Sequence, residues 1–199
     1  MTSKYIVKES TTSFINNIRN EKAEAYCSEC AVIYLNQYEE KVTTERSRLQ
    51  DIIKTNLKLI PIVTTHNPLN WEYLISGIVS AQTVTGTGLL SEFTSTWSDF
   101  MGGQSGSLQN KLSDGEILCR NQLRYKAAMV GCNAVIAADV DYAEVGGGKG
   151  MLMVCMAGTA VKLRNAKEVL TIDFDGFEKL QQAVFAFNEL KKDIIPTVL

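Results

Sequence analysis

Asp139 and Asp141 stand two residues apart near the end of an apolar, alternating run, Asn133 to Tyr142, with Glu144 just beyond. In an extended chain alternate side chains point to opposite faces. That places Ala134, Ile136, Ala138, Val140 and Tyr142 on one face and Val135, Ala137, Asp139 and Asp141 on the other. A rise near 3.4 Å per residue sets the two acids about 7 Å apart in Cα distance. At that separation one carboxylate can raise the pKa of the other, or both can share a cation, with Glu144 as a further oxygen donor. A carboxyl so raised would suit acid–base chemistry. The same pattern also describes a strand end that faces water or a neighbouring subunit.

Cys27-Ser-Glu-Cys30 is the second constellation. Thiolates at C-x-x-C spacing converge on one ion and supply two of the four ligands of a zinc site. A full site needs two more. The chain has no second C-x-x-C, and its one histidine is His66, so completion would come from His66 or from another subunit. A redox dithiol and a pair of buried thiols are the other readings of the same four residues. Cys119, Cys132 and Cys155 sit on a helix, at a helix end and within an apolar strand, where core packing is expected. His66 lies in a Thr/Asn/Pro connector and is expected to be a loop residue.

Two glycine patterns imitate nucleotide loops. Gly86-Thr-Gly88 is followed by Ser91 where a dinucleotide fingerprint has its third glycine, and no parallel βαβ unit follows. Gly146-Gly-Gly-Lys149-Gly150 has Ala143 at the first glycine of a phosphate loop and Gly150 where Ser or Thr belongs. It reads as a hairpin turn.

The elements that carry these residues follow from periodicity. Residues 1 to about 60 read as helical, with Ser13 as an N-cap before Phe14, Ile15 and Ile18. Leu35, Tyr38, Val42, Leu49, Ile52 and Leu59 recur at three- and four-residue steps, interrupted at Glu45 and Asn56. This is an amphipathic helix, packed on its own domain or used as a short seam between subunits. Pro61 stops it, and the connector 60–71 carries the domain boundary. Tyr73 to Thr85 reads as a strand. Leu90 to Met101 reads as a helix closed by Gly102–Gly103. A longer helix, about Leu108 to Val130, presents Leu108, Leu112, Ile117 or Leu118, Leu123, Ala127 and Val130, with Gly131 as its C-cap. Two strands follow, the second running from Met151 to Val161. A last helix starts at Asp175, with Glu178 completing a capping box. Phe177, Leu180, Val184, Phe187 and Leu190 form its stripe, Lys191 and Lys192 suit its C-terminal end, and Pro196 ends it.

Charge and composition remove some functions. A net charge of −2, with no basic cluster larger than Lys191–Lys192, argues against nucleic acid. The apolar run Met151 to Val161 is shorter than the roughly 20 residues of a membrane helix. The start MTSKYIVKESTTS has no apolar stretch of signal-peptide type. The 5 cysteines are an odd number, which fits reduced thiols and a cytoplasmic location better than a disulfide framework.

The glycines, acids and apolar strands of residues 72–164 fall in the order and spacing of a known family. Gly86, Gly102, Gly103, Ser105, Gly106, Gly131, Asn133, Ala134, Val135, Asp139, Asp141, Tyr142, Met151, Met153, Val154, Gly158, Thr159, Ala160 and Val161 carry the likeness. The region resembles the YbjQ-like family, which is uncharacterised and bears a heavy-metal-binding label. The resemblance implies an α+β fold, strand-helix-helix-strand-strand, with an antiparallel sheet covered by helices. It also implies cyclic homo-oligomers, typically pentamers in which strands of neighbouring subunits associate. It supplies no catalytic residues. Gln104 stands where the family usually has Arg, which weakens any anion-binding role for that turn. The long helix carries Cys119, Asn121, Gln122 and Ala127–Ala128 where the family is dense in Glu and Arg.

The resulting organisation is a helical region with connector over 1–70, the family-like core over 71–164 and a C-terminal helix over 165–199. The expected protein is a cytoplasmic, ring-forming binding or scaffold protein that associates with itself. Its rivals are a metal protein, holding zinc or another divalent ion through Cys27, Cys30, Asp139, Asp141 or Glu144, and an enzyme with sites at subunit boundaries. No cofactor is defined by the sequence, and a small ligand or metal is the only further partner expected.

Overall fold

The computed structural model describes residues 5–85, 108–145, 151–190 and 195–196. The expected helix 90–101, the glycine turns at 86–88, 102–106 and 146–150, and Lys191–Lys192 lie outside the described residues. The elements run α1 (Glu9–Arg19), α2 (Ser28–Asn56), a 3-10 turn (Leu57–Leu59), β1 (Tyr73–Thr85), α3 (Leu108–Met129), β2 (Ala134–Val145), β3 (Met151–Leu163), α4 (Ala166–Val169) and α5 (Phe174–Leu190). The chain divides into two compact units, one of Met1–Asp51 with Ala186–Leu199, the other of Ile52–Phe185.

In the first unit Ile15, Ala31 and Leu35 are buried with Val7 and Tyr26, flanked by Phe14, Ala23 and Tyr34. Ser13 is not a cap. It falls inside α1, whose extended N-cap residue is Lys8 and makes no side-chain cap bond. Lysine is no capping residue, so this start left no mark in the sequence. At the other end Asn20 adopts a left-handed conformation, φ 53°, and closes the last turn. Asn16 then ties the following loop, donating to the Ala23 carbonyl at 2.8 Å and accepting from the Tyr26 hydroxyl at 2.8 Å.

Along α2, Leu35, Val42 and Leu49 are buried as the periodicity predicts. Further on Ile53 and Leu57 are buried, while Ile52 and Leu59 are only half-buried. Leu35, Val42, Leu49, Ile53 and Leu57 thus form one buried line along the helix. Asn56 turns its amide back to the Ile52 carbonyl at 2.8 Å.

The second unit is built on an antiparallel sheet of order β1-β3-β2. α3 crosses one face and buries Cys119, Leu123 and Ala127, spaced by four, against Val79, Ala81, Val154, Met156 and Ala160. Ile117 and Val130, expected on that helix's apolar face, are exposed. Cys119, Leu123 and Ala127 line the contact instead. The other face is closed at one end, where Ala134, Ile136, Val161 and Leu163 meet Val63, Trp71, Tyr73, Val169 and Leu170.

α5 begins at Phe174, two residues earlier than an N-cap at Asp175 would place it. The cap is Asp173, whose carboxylate accepts the Gly176 N–H at 3.1 Å. Asp175 thus lies inside the first turn, and Glu178 pairs with Lys167 at 2.8 Å rather than closing a capping box. Phe177, Leu180, Val184 and Phe187 are buried, and Leu190 is half-buried.

Candidate functional site

The course of β2 is set by a bulge. Ala134, Val135 and Ile136 pair with Val161, Ala160 and Thr159, but the next regular pair is Asp139 with Ala157. Two residues, Ala137 and Ala138, thus oppose Gly158 alone. Ala137 takes up the irregularity in a left-handed conformation, φ 50°. The N–H groups of the bulge turn outward to the connector: Ala137 donates to the Thr65 carbonyl at 3.1 Å and Ala138 to the Val63 carbonyl at 3.0 Å. Residues 61–65 therefore lie along the first half of β2 as a short parallel ribbon, with Ile62 bridging Val135.

The bulge changes which side chains share a face. Asp139 and Asp141 do lie on one face, as alternation predicts, opposite Ala157 and Cys155. That face is the one shared with Ala134 and Ile136, not with Val135 and Ala137. Glu144, opposite Leu152, and Tyr142, opposite Val154, point to the side that α3 covers. The acid trio is thereby split between the two faces. Both aspartates and Glu144 are exposed. Asp141 accepts its neighbour's Tyr142 N–H at 2.9 Å.

On the α3 side a polar group forms that the sequence reading missed. The Tyr142 hydroxyl donates to Glu116 Oε1 at 2.8 Å, and Arg120 Nη2 donates to Glu116 Oε2 at 2.8 Å. Holding its proton toward a carboxylate raises the Tyr142 phenol above its ordinary range. The spacing of Glu116 and Arg120, four apart on one helix, was the available signal. A second missed residue is Asn133. Its buried side chain accepts the Leu163 N–H at 2.6 Å and donates to the Leu163 carbonyl at 3.0 Å, replacing one rung of the sheet.

Cys27 and Cys30 lie at the start of α2. Cys27 precedes the first helical residue, and its Sγ accepts the Cys30 N–H at 3.3 Å. Cys27 is half-buried and Cys30 exposed. Among the described residues no group of three His, Cys, Asp or Glu side chains is arranged to hold a metal ion. His66 is exposed on the connector. Cys119 and Cys132 are buried as expected, whereas Cys155 is only half-buried because it sits on the less covered sheet face. Burial pushes the Cys119 thiol up to about 11. A cleft of about 440 Å³ lies between Asn70–Glu72 and Asn165–Val169. Asn165 spans it, accepting the Glu72 N–H at 3.0 Å and donating to the Asn70 carbonyl at 2.9 Å. No described helix is long and apolar enough to cross a membrane.

The bulged β2, the β2–β3 pairing and the helix across one face all fall within residues 60–164, and this stretch matches the YbjQ family model described as "Putative heavy-metal-binding". The chain belongs to that family. It is 36% identical over 105 residues to a UPF0145 protein of Geobacillus thermodenitrificans, covering 52% of this chain and 99% of that one. A UPF0145 protein of Anoxybacillus flavithermus is 35% identical over 105 residues, with 52% and 98% covered. A crystal structure from Pediococcus pentosaceus, titled as a protein of unknown function of the DUF74 family, covers 52% of this chain and 96% of its own at 21% identity and a TM-score of 0.32. Close to half of the present chain has no counterpart in the two UPF0145 relatives.

Proposed function

We propose that this is a ring-forming binding or scaffold protein of the cytoplasm, with residues 71–164 as its core and the helical segments 1–70 and 165–199 as attachments. The observation that carries this reading is the state of β1. It is an edge strand 13 residues long, and among the described residues only β3 pairs with it. It presents Ile75 at 70% and Ile78 at 84% exposure. A long, partly apolar edge strand is a template for pairing with another chain unless something covers it. A second copy, joined edge to edge and repeated around a cyclic axis, would satisfy it without leaving a free end. Five subunits is the count we propose. Light scattering at micromolar concentration is expected to give about five times the 22.0 kDa chain mass. A monomer would remove the proposal.

A second reading, metal binding, draws on Asp139 and Asp141, which share one exposed face. Two carboxylates leave most of a divalent cation's coordination to water or to another subunit. Elemental analysis of protein purified without chelator or added metal tests it. Stoichiometric metal that is lost in the Asp139→Asn, Asp141→Asn double variant supports the reading; metal-free protein defeats it.

A further inference from the structure

We infer that Cys27 and Cys30 form a dithiol–disulfide pair that closes and opens reversibly at the start of α2. The pair lies outside the family-matched residues 60–164, so this goes beyond the reading above. The backbone around Cys27 is fixed from both sides. Ile6 and Cys27 form an antiparallel bridge, the Ser28 N–H donates to the Tyr5 carbonyl at 2.9 Å, and the Val7 N–H donates to the Tyr26 carbonyl at 3.1 Å. The Cys27 carbonyl accepts the Ala31 N–H at 2.9 Å, opening the helix. Cys27 is therefore the N-cap residue, and its sulfur takes the place that a Ser or Asp oxygen usually fills. The N–H it accepts belongs to Cys30, three residues on, one of the first-turn donors that no helical carbonyl can reach.

This arrangement has three chemical consequences. Residues three apart on a helix have Cβ atoms about 5–6 Å apart, so reaching the roughly 3.5–4.5 Å of a disulfide takes a small backbone adjustment at the helix start. The N–H donated to the Cys27 sulfur holds that sulfur over the first turn, above the Cys30 backbone. Exposure is graded: Cys30 is open to solvent and Cys27 half-covered. Cys30 therefore meets an external disulfide first, and Cys27 resolves it.

The exchange balances with a low-molecular-weight disulfide of the glutathione type as oxidant. The Cys30 sulfur attacks one sulfur of that disulfide, giving a mixed disulfide, and the released thiolate takes the proton Cys30 lost. The Cys27 sulfur then attacks Cys30 Sγ. The bond to the small thiol breaks, and that thiol leaves with the Cys27 proton. Two protein thiols have become one disulfide, and one small disulfide has become two thiols.

The test uses the full chain in glutathione buffers stepped from fully reduced to fully oxidised, quenched by alkylation and mapped by peptide mass. The expected result is a peptide alkylated at both cysteines under reducing conditions and carrying an internal disulfide under oxidising ones. The isosteric Cys27→Ser variant should instead retain a glutathione mixed disulfide on Cys30. Three results would overturn the inference: both thiols alkylated across the whole range, disulfides only between chains and dependent on protein concentration, or zinc retained on the pair after chelation and blocking oxidation.

Discussion

The two faces of the sheet in the second unit are closed by different means. On one, α3 lays Cys119, Leu123 and Ala127 over Val79, Ala81, Val154, Met156 and Ala160, all buried. On the other, Trp71, Val169 and Leu170 cover Ile136, Val161 and Leu163 at one end only. Toward the far end of that face Ile78, Ser80, Gln82, Ala157, Asp139 and Asp141 are exposed. Both faces share the same three strands, but alternation gives them different side chains: Val79, Ala81, Val154 and Met156 on the α3 face, Ser80, Gln82, Asp139 and Asp141 toward the far end of the other. The bulge at Ala137–Ala138 sets which β2 side chains fall on each face, and the covering elements of the second face reach only one end. Fold-stabilising burial sits on the α3 face, while the far end of the opposite face is exposed.

The sharpest way to break this contrast is at Gly158, which faces the bulge on the α3 side. A Cβ there would stand 2.6 Å from Val135 Cγ1 and 3.3 Å from the Ile136 carbonyl. The Val135 methyl must shift, and the Ile136 carbonyl, which is backbone, must yield by a few tenths of an ångström. Gly158→Val is expected to cost about 3 kcal/mol or more and to lower soluble yield sharply. Unchanged melting of that variant would mean that the bulge adapts freely.

Asn133→Ala should follow in size. It strips partners from the buried N–H and carbonyl of Leu163, at about 2–4 kcal/mol for the two. Denaturant titration measures it, and a change under about 1 kcal/mol would show water replacing the side chain.

The two faces can also be compared by thiol chemistry. Cys119, on α3, is buried against the sheet with its thiol pushed up to about 11, so at pH 8 it is almost wholly protonated and shielded. Cys155 is half-buried on the other face. Alkylation at pH 8 is expected to modify Cys155 at least tenfold faster than Cys119. If subunits associate over that face, Cys155 becomes protected as the protein is concentrated while Cys119 stays slow throughout. Equal rates would erase the distinction between the faces. Because the Cys119 pKa is raised, the thiolate appears only as pH nears 11, so its labelling should climb steeply there.

The smallest effect is expected at Ala137, in a left-handed conformation that glycine adopts without strain. Ala137→Gly should change stability by no more than about 1 kcal/mol, since relief of strain opposes the added freedom of the unfolded chain. A loss well beyond that would mean that the Ala137 methyl group itself is needed for packing.

Much of this protein was legible in its sequence. The three strands and the long helix show their spans through alternation and four-residue spacing, because those periods are imposed by backbone geometry and need no tertiary partner. The order of glycines, acids and strands likewise marked the family. Local signals failed where a neighbour decided the matter. Ser13 and Asp175 had the chemistry of caps, yet Lys8 and Asp173 hold those positions, since tertiary packing fixes where a helix can begin. The facing of Asp139 and Asp141 relative to Val135 depended on a bulge with no glycine to announce it. Only the connector 61–65, which takes the outward N–H groups of Ala137 and Ala138, makes that bulge affordable. Asn133 and the Glu116–Arg120–Tyr142 group are tertiary as well, joining residues about 26 to 30 positions apart. The C-x-x-C spacing was visible at once. That its first sulfur caps a helix was not, because nothing in four residues says which of them the segment at Tyr5–Val7 will hold.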